Sequence, residues 1–258
     1  MKRNNVVILD GVLAAIRQES SVIDGLEMAY VSGILSTTSP STHEKIKHPF
    51  VVYRQRQALE TRAFTEVVSG DLPVRLYGWL QSCWDGDSCR SVVVVENITF
   101  DVSPKLRAEA TRVLVDAMKG VISRERDRTS PNDISISFGI STNAVLLSGT
   151  CTVRGEGEEC RSATLRTDQE ELGGNHLVAF HGSLLDPIRA FKKATRNRCV
   201  VSVGGWLHQV WSGGEHKETR VIAHRINFHH DANTVELART FMLANPAHQG
   251  DARWQQQE

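Results

Sequence analysis

"GWLQSCW" runs from Gly78 to Trp84, and "GWLHQVW" runs from Gly205 to Trp211. Glycine, tryptophan, leucine, three variable residues and tryptophan recur at an offset of 127, and the two stretches hold four of the five tryptophans in the chain. The repeat extends further. At the same offset Val74 falls on Val201, "RAF" at Arg62–Phe64 on "RAF" at Arg189–Phe191, and Phe50–Tyr53 on Leu177–Phe180. One residue is inserted in the following turn, after which Ile98 and Phe100 fall on Ile226 and Phe228. Nearer each start, "VILDG" (Val7–Gly11) matches "VLLSG" (Val145–Gly149) at an offset of 138. The first copy therefore carries extra residues, which the reading places in "STTSPSTHEKIKHP". Self-similarity of this length signals a duplicated domain.

Each copy shows the same order of signals. "NNVVILDGVLAA", "MAYVSGILST" and "HPFVVYRQRQ" read as three strands, "ALETRAFTEVVSG" as a short helix, and "LPVRLYGWLQSCW" and "CRSVVVVENITF" as two strands joined by a turn. The second copy repeats this through "NAVLLSGTCTV", "CRSATLRT", "NHLVAFHGS", a helix over "LLDPIRAFKKATRN", "CVVSVGGWLHQVW" and "ETRVIAHRINFHH". Five strands with a helix between the third and fourth is the order of an OB fold, a small Greek-key barrel. The expected fold is mainly β, two tandem OB barrels joined by an α-helical linker. The expected domains are 1–101 and 133–231, with a linker at 102–132 and a short helix and polar tail at 232–258. In the linker Ser103 is placed to cap a helix and Pro104 suits its first turn. Leu106, Ala110, Val113, Leu114, Ala117, Met118 and Val121 form one apolar face, and Arg124, Arg126 and Arg128 lie near the C-terminal end.

Composition excludes some classes. No apolar run approaches the ~18 residues of a membrane span, and no signal peptide is read. The five cysteines (Cys83, Cys89, Cys151, Cys160, Cys199) form no CxxC pair, so reduced thiols are expected and no zinc site. "HRINFHHD" reads as a strand with surface histidines, not a metal site. No P-loop or nucleophile elbow is present, and no cofactor or catalysis is expected. Net charge is zero, with the basic excess in 102–131, where 7 Lys/Arg face 4 Asp/Glu.

The ordered set of motifs, found twice, resembles the bacterial single-stranded DNA-binding protein family. "NNVVILDGVL" is similar to that family's first strand, "NHLVAFHGSLLDPIRAF" to its third-strand-to-helix junction, and "VVSVGGWLHQVW" with "ETRVIAHRINF" to its last two strands. Length and layout resemble a subgroup with two OB domains per chain, which pairs as a dimer. The resemblance implies sequence-independent binding of single-stranded DNA in replication, recombination or repair. It also implies a cytoplasmic, nucleoid-associated location, or phage or plasmid coding. The family's acidic tail with an apolar tip is missing from "HQGDARWQQQE", so recruitment of replication or recombination proteins by that route is not expected.

Strand parity agrees with this expectation. Val74, Leu76, Gly78 and Leu80 share one face, as do Val201, Val203, Gly205 and Leu207, which directs Arg75, Trp79 and Trp206 outward. Trp84 and Trp211 lie nearer the hairpin tips. The same alternation places Val51 and Tyr53 inward, and Val52, Arg54 and Arg56 outward. In the family an aromatic residue precedes the junction glycine and faces DNA; His181 stands there in the second copy and Arg54 is read there in the first. The expected nucleic-acid set is Trp79, Trp84, Trp206, Trp211, Arg54, Arg56, Arg75, His181 and Arg220, with indoles stacking on bases and cations meeting phosphates. Two other readings stay open: a tandem-barrel partner-binding module without nucleic-acid binding, and an RNA-binding protein. An outward tryptophan also has a packing role open to it, against another part of the protein or a second subunit.

Overall fold

The structure, a computed structural model, describes residues 5–23, 26–39, 43–118, 143–155, 161–167 and 174–244. Arg124, Arg126, Arg128, Val121, Cys160 and the polar tail lie outside the described residues. Two compact units are present, each with a closed five-stranded barrel.

The first unit comprises the described residues of Val7–Leu80 and Val92–Asn143. Its elements are β1 (Asn5–Ile23), β2 (Leu26–Thr38), β3 (Lys45–Val52), α1 (Gln55–Val67), β4 (Leu72–Asp85), β5 (Ser88–Phe100) and α2 (Pro104–Met118), with β1 counted from Val7, β4 as far as Leu80 and β5 from Val92. The strand order β2-β3-β5-β4-β1 closes because β1 also pairs with β2. β1 is antiparallel to both β2 and β4, and β3 runs parallel to β5. These are the pairings of an OB barrel.

The second unit comprises the described residues of Met1–Val6, Gln81–Ser91 and Ala144–Glu258. Its elements are β6 (Asn143–Arg154), β7 (Ser162–Arg166), β8 (Asn175–Ala179), a 3-10 turn (Gly182–Leu184), α3 (Leu185–Ala194), β9 (Cys199–Ser212), β10 (Glu215–Phe228) and α4 (Ala232–Leu243). The order is β6-β7-β8-β10-β9, closed by β6 on β9, with β8 parallel to β10. Gly213 and Gly214, both at positive φ (+59° and +83°), make the two-residue turn between Ser212 and Glu215. A tight hairpin of this kind needs two such residues.

Core positions follow the strand alternation. Val74, Leu76 and Leu80 are buried, as are Val201, Val203 and Leu207. Gly78 and Gly205 take equivalent places in the two barrel walls, each pressed against a neighbouring carbonyl. A Cβ at Gly78 would stand 2.0 Å from the carbonyl oxygen of Val94, and one at Gly205 would stand 2.2 Å from that of Ile222. Gly11 and Gly149 meet the oxygens of Ser36 and Arg166 in the same way, at 2.2 and 1.9 Å. The repeated glycines are thus spaced by backbone-to-backbone approach.

A helix plugs each barrel through one aromatic stack. Phe64 of α1 lies on Phe100 (ring centroids 4.0 Å), and Phe191 of α3 on Phe228 (3.8 Å). Such pairs add ~0.5–1.5 kcal/mol beyond area burial. The helix expected between the copies is α2. Leu106 N–H donates to the Ser103 hydroxyl at 3.4 Å, so the predicted cap is made. α2 packs on α1, and α4 packs on α3, at positions 128 apart. The repeat therefore continues past the last strand of each barrel.

Four sequence expectations are corrected. Tyr53 was expected inward and Val52 outward; Tyr53 is 43% exposed and Val52 is fully buried. The alternation ends because β3 stops at Val52, where Phe50, Val51 and Val52 are all buried and α1 packs on the strand. Arg56 lies in the first turn of α1, not on a strand. The third-strand offset is 128 rather than 127, because Phe50 pairs with Val93 as Val178 pairs with Val221. The extra residues of the first copy lie mainly in the β1–β2 hairpin. Twenty-two positions separate the partners Leu13 and Leu35, whereas fourteen separate Cys151 and Leu165.

Candidate nucleic-acid interface

The outer face of β9 and β10 brings aromatic and basic side chains together around Trp206. Trp206 pairs with Ile222, His208 with Arg220, and Gly204 with Arg225. The register shifts between Ala223 and Arg225, which makes His224 the extra residue of a bulge. Bulges re-aim side chains. Here the imidazole lies 6.0 Å from the Trp206 ring, centroid to centroid, and tilted by only 15°. Trp206 is half-buried, while His224 and Arg225 are exposed. Arg220 is ion-paired with Glu218.

Nearer the tip, Trp211 stacks with His216 at 5.3 Å. Burial lowers the His216 pKa below its ordinary value. Trp84 also belongs to this unit. Its Nε1–H donates to the Asn175 carbonyl at 2.5 Å, and the Arg154 guanidinium stands 4.3 Å from the ring centroid. That is cation–π geometry. Trp84 thus has two internal partners, and Arg154 occupies one face of its ring.

The first copy's equivalent face differs. Trp79 is half-buried, and its Nε1 is buried without a hydrogen-bond partner among the described residues. Arg75 gives Nε–H and Nη2–H to the two carboxylate oxygens of Asp10. Ser148 and Ser202 take the equivalent places in the second copy, sharing a 2.7 Å hydrogen bond, and Ser202 also meets His229 Nε2 at 2.7 Å.

At the strand-to-helix junction His181 is exposed and precedes the 3-10 turn. With the corrected offset its counterpart is Tyr53, not Arg54. Tyr53 lies 5.6 Å from the Tyr30 ring, and Tyr30 donates its hydroxyl to Glu19 at 2.6 Å. Arg54 sits at the N-cap of α1 and donates to the Glu96 carbonyl at 3.2 Å. Sequence reasoning missed Tyr53 as an exposed aromatic. The signal was present: pairing His48 with His176, both fully buried, moves the alignment by one residue and places Tyr53 on His181.

The chain is a mainly β protein of two OB barrels whose outer strands carry half-exposed aromatics beside cations. No group of three or more His, Cys, Asp or Glu capable of holding a metal occurs among the described residues, nor does a helix long and apolar enough to cross a membrane. The structure is similar to that of the wild-type single-stranded DNA binding protein from Thermus aquaticus. That match has a TM-score of 0.52 and 16% identity over 88% of this chain and 94% of that one. A deletion mutant of the same Thermus aquaticus protein matches with a TM-score of 0.51 and 17% identity, over 88% and 95% of the two chains. At this identity the likeness establishes the fold. No protein-family model matches the chain, and no curated protein does.

Proposed function

We propose that this chain binds single-stranded DNA without sequence preference, stacking bases on half-exposed aromatic rings while Lys and Arg meet the phosphates. The observation that carries this reading is the outer face of β9–β10, where Trp206 lies beside exposed His224 and Arg225 on an OB barrel. Aromatic platforms beside basic groups suit unpaired bases, because every base has a π face. The proposal extends to a homodimer acting on DNA during replication, recombination or repair, with no cofactor and no catalytic step.

Titration of the full chain with an oligothymidine of about 35 nucleotides, followed by tryptophan fluorescence, tests the reading. Strong quenching that reverses with salt is expected, since phosphate contacts release counterions. Zero net charge predicts a shallow salt slope, with roughly 0.7 released ions per phosphate contact. A matched RNA oligomer bound as tightly or more tightly would favour RNA as the ligand. Absence of quenching and of a gel shift would favour a partner-binding module.

A further inference from the structure

We infer that the two tryptophans of the repeat have diverged: Trp206, with His224 and Arg225, contacts the nucleic acid, and Trp79 is a packing residue. This rests on the single-stranded DNA reading above. The two positions are structurally equivalent, because Gly78 approaches the carbonyl of Val94 as Gly205 approaches that of Ile222. Those contacts fix the same offset of 128 for β5 and β10. His224 and Arg225 then correspond to Glu96 and Asn97, and Arg220 corresponds to Val92.

Equivalent positions therefore carry opposite chemistry. Around Trp206 the strand offers an imidazole stacked on the indole and an exposed guanidinium opposite Gly204. Around Trp79 it offers Glu96, Asn97 and two valines, one of which, Val94, is only 2% exposed. Ile222, the counterpart of Val94, is half-buried. Asp10 adds a carboxylate to the first face and holds Arg75 in a bidentate pair; the second face has Ser148 and Ser202 there. One opposing term exists, since Glu218 of the second copy stands where the first has Arg90. Glu218 is ion-paired with Arg220, which leaves Arg225 and His224 as the groups facing an incoming phosphate.

Electrostatics and stacking both favour the second face. A carboxylate beside a stacking ring repels the phosphates on either side of a stacked base, whereas Arg225 attracts them. Both indoles are half-buried, but the Trp79 N–H edge is turned away from solvent, as in a packing residue.

The test uses the full chain and the same oligothymidine. His224→Glu with Arg225→Asn gives the second face the first copy's residues, both at exposed positions. Trp206→Phe and Trp79→Phe keep a ring at each site, and thermal midpoints are measured for every variant. Expected are a loss of affinity of about tenfold or more for the double variant, a clear loss for Trp206→Phe, and unchanged affinity with a lowered thermal midpoint for Trp79→Phe. Binding by the unmodified chain with no effect of the double variant would overturn the inference while leaving the DNA reading in place. So would an equal loss of affinity from Trp79→Phe and Trp206→Phe. Failure of the unmodified chain to bind overturns the DNA reading itself, and this assignment with it.

Discussion

Arg75 donates from Nε and Nη2 to the two carboxylate oxygens of Asp10, at 2.6 and 2.9 Å. The hydrogen bond to Asp10 raises the Arg75 pKa, and the two-point contact engages both sides of the ion pair. Arg75→Ala is expected to leave oligothymidine affinity within about twofold and to reduce stability by no more than ~1 kcal/mol, because the pair is largely solvated. Asp10→Ala releases the guanidinium and removes a negative charge, so binding at low salt should tighten. Fluorescence titration of the two variants side by side checks both expectations.

Gly204 and Gly205 are neighbours with opposite steric demands. The Cβ of Gly205→Ala would collide with the Ile222 carbonyl, while that of Gly204→Ala would meet nothing nearer than 3.8 Å. Gly205→Ala should lower stability by about 1–3 kcal/mol or prevent folding, and Gly78→Ala should act alike. Gly204→Ala should stay within about 0.5 kcal/mol of the parent. Chemical denaturation of the three variants gives the comparison.

His176 predicts an acid-labile fold. Its side chain is fully buried in the second unit, with Ser82 at 2.8 Å, Thr167 at 3.2 Å and Asn5 at 3.4 Å, all neutral partners. Burial lowers its pKa from 6.5 to about 4. The unfolded chain therefore takes up a proton near pH 6.5 that the folded chain refuses until about pH 4. Stability from this group is complete above pH 6.5 and falls on acidification towards pH 4, by up to ~1.4 kcal/mol per pH unit. Half-buried His216, also lowered by burial, acts in the same direction. Denaturation midpoints between pH 7 and pH 4.5 should fall more steeply for the parent than for His176→Gln.

Tyr53 is the exposed aromatic at the first copy's junction. Under the DNA reading, Tyr53→Ala should weaken oligothymidine binding by about 1 kcal/mol or more, within the range of one stacked base. Its high exposure predicts little change in thermal midpoint. A large fall in midpoint with unchanged affinity would instead mark Tyr53 as a packing partner of Tyr30.

Much of the fold was legible in the chain. Alternation in "PVRLYGWL" and "VSVGGWLH" identified the inward residues, which are buried, and Gly78 and Gly205 on the same faces stand where a neighbouring carbonyl leaves no room for a side chain. The repeat exposed the duplication because barrel closure demands the same small residue at the same place twice. The outward faces were less legible. Parity says that Trp79 and Trp206 point away from the barrel interior, but not what lies beside them. The offset at β3 was misread by one residue because "FVVY" and "LVAF" match equally well by hydropathy, and only the β3–β5 register separates the alignments.

By itself the sequence determined the strand order, the inward faces of β4 and β9, the hairpin turns and the two-copy plan, because these follow from local periodicity, turn chemistry and self-similarity. Only the tertiary structure decided which outward groups are engaged. Arg75 is tied to Asp10, 65 positions away, and Trp84 to Asn175, 91 positions away. A bulge in β10 brings His224 onto Trp206. These pairings depend on register and twist between strands distant in the chain, and no local pattern encodes them.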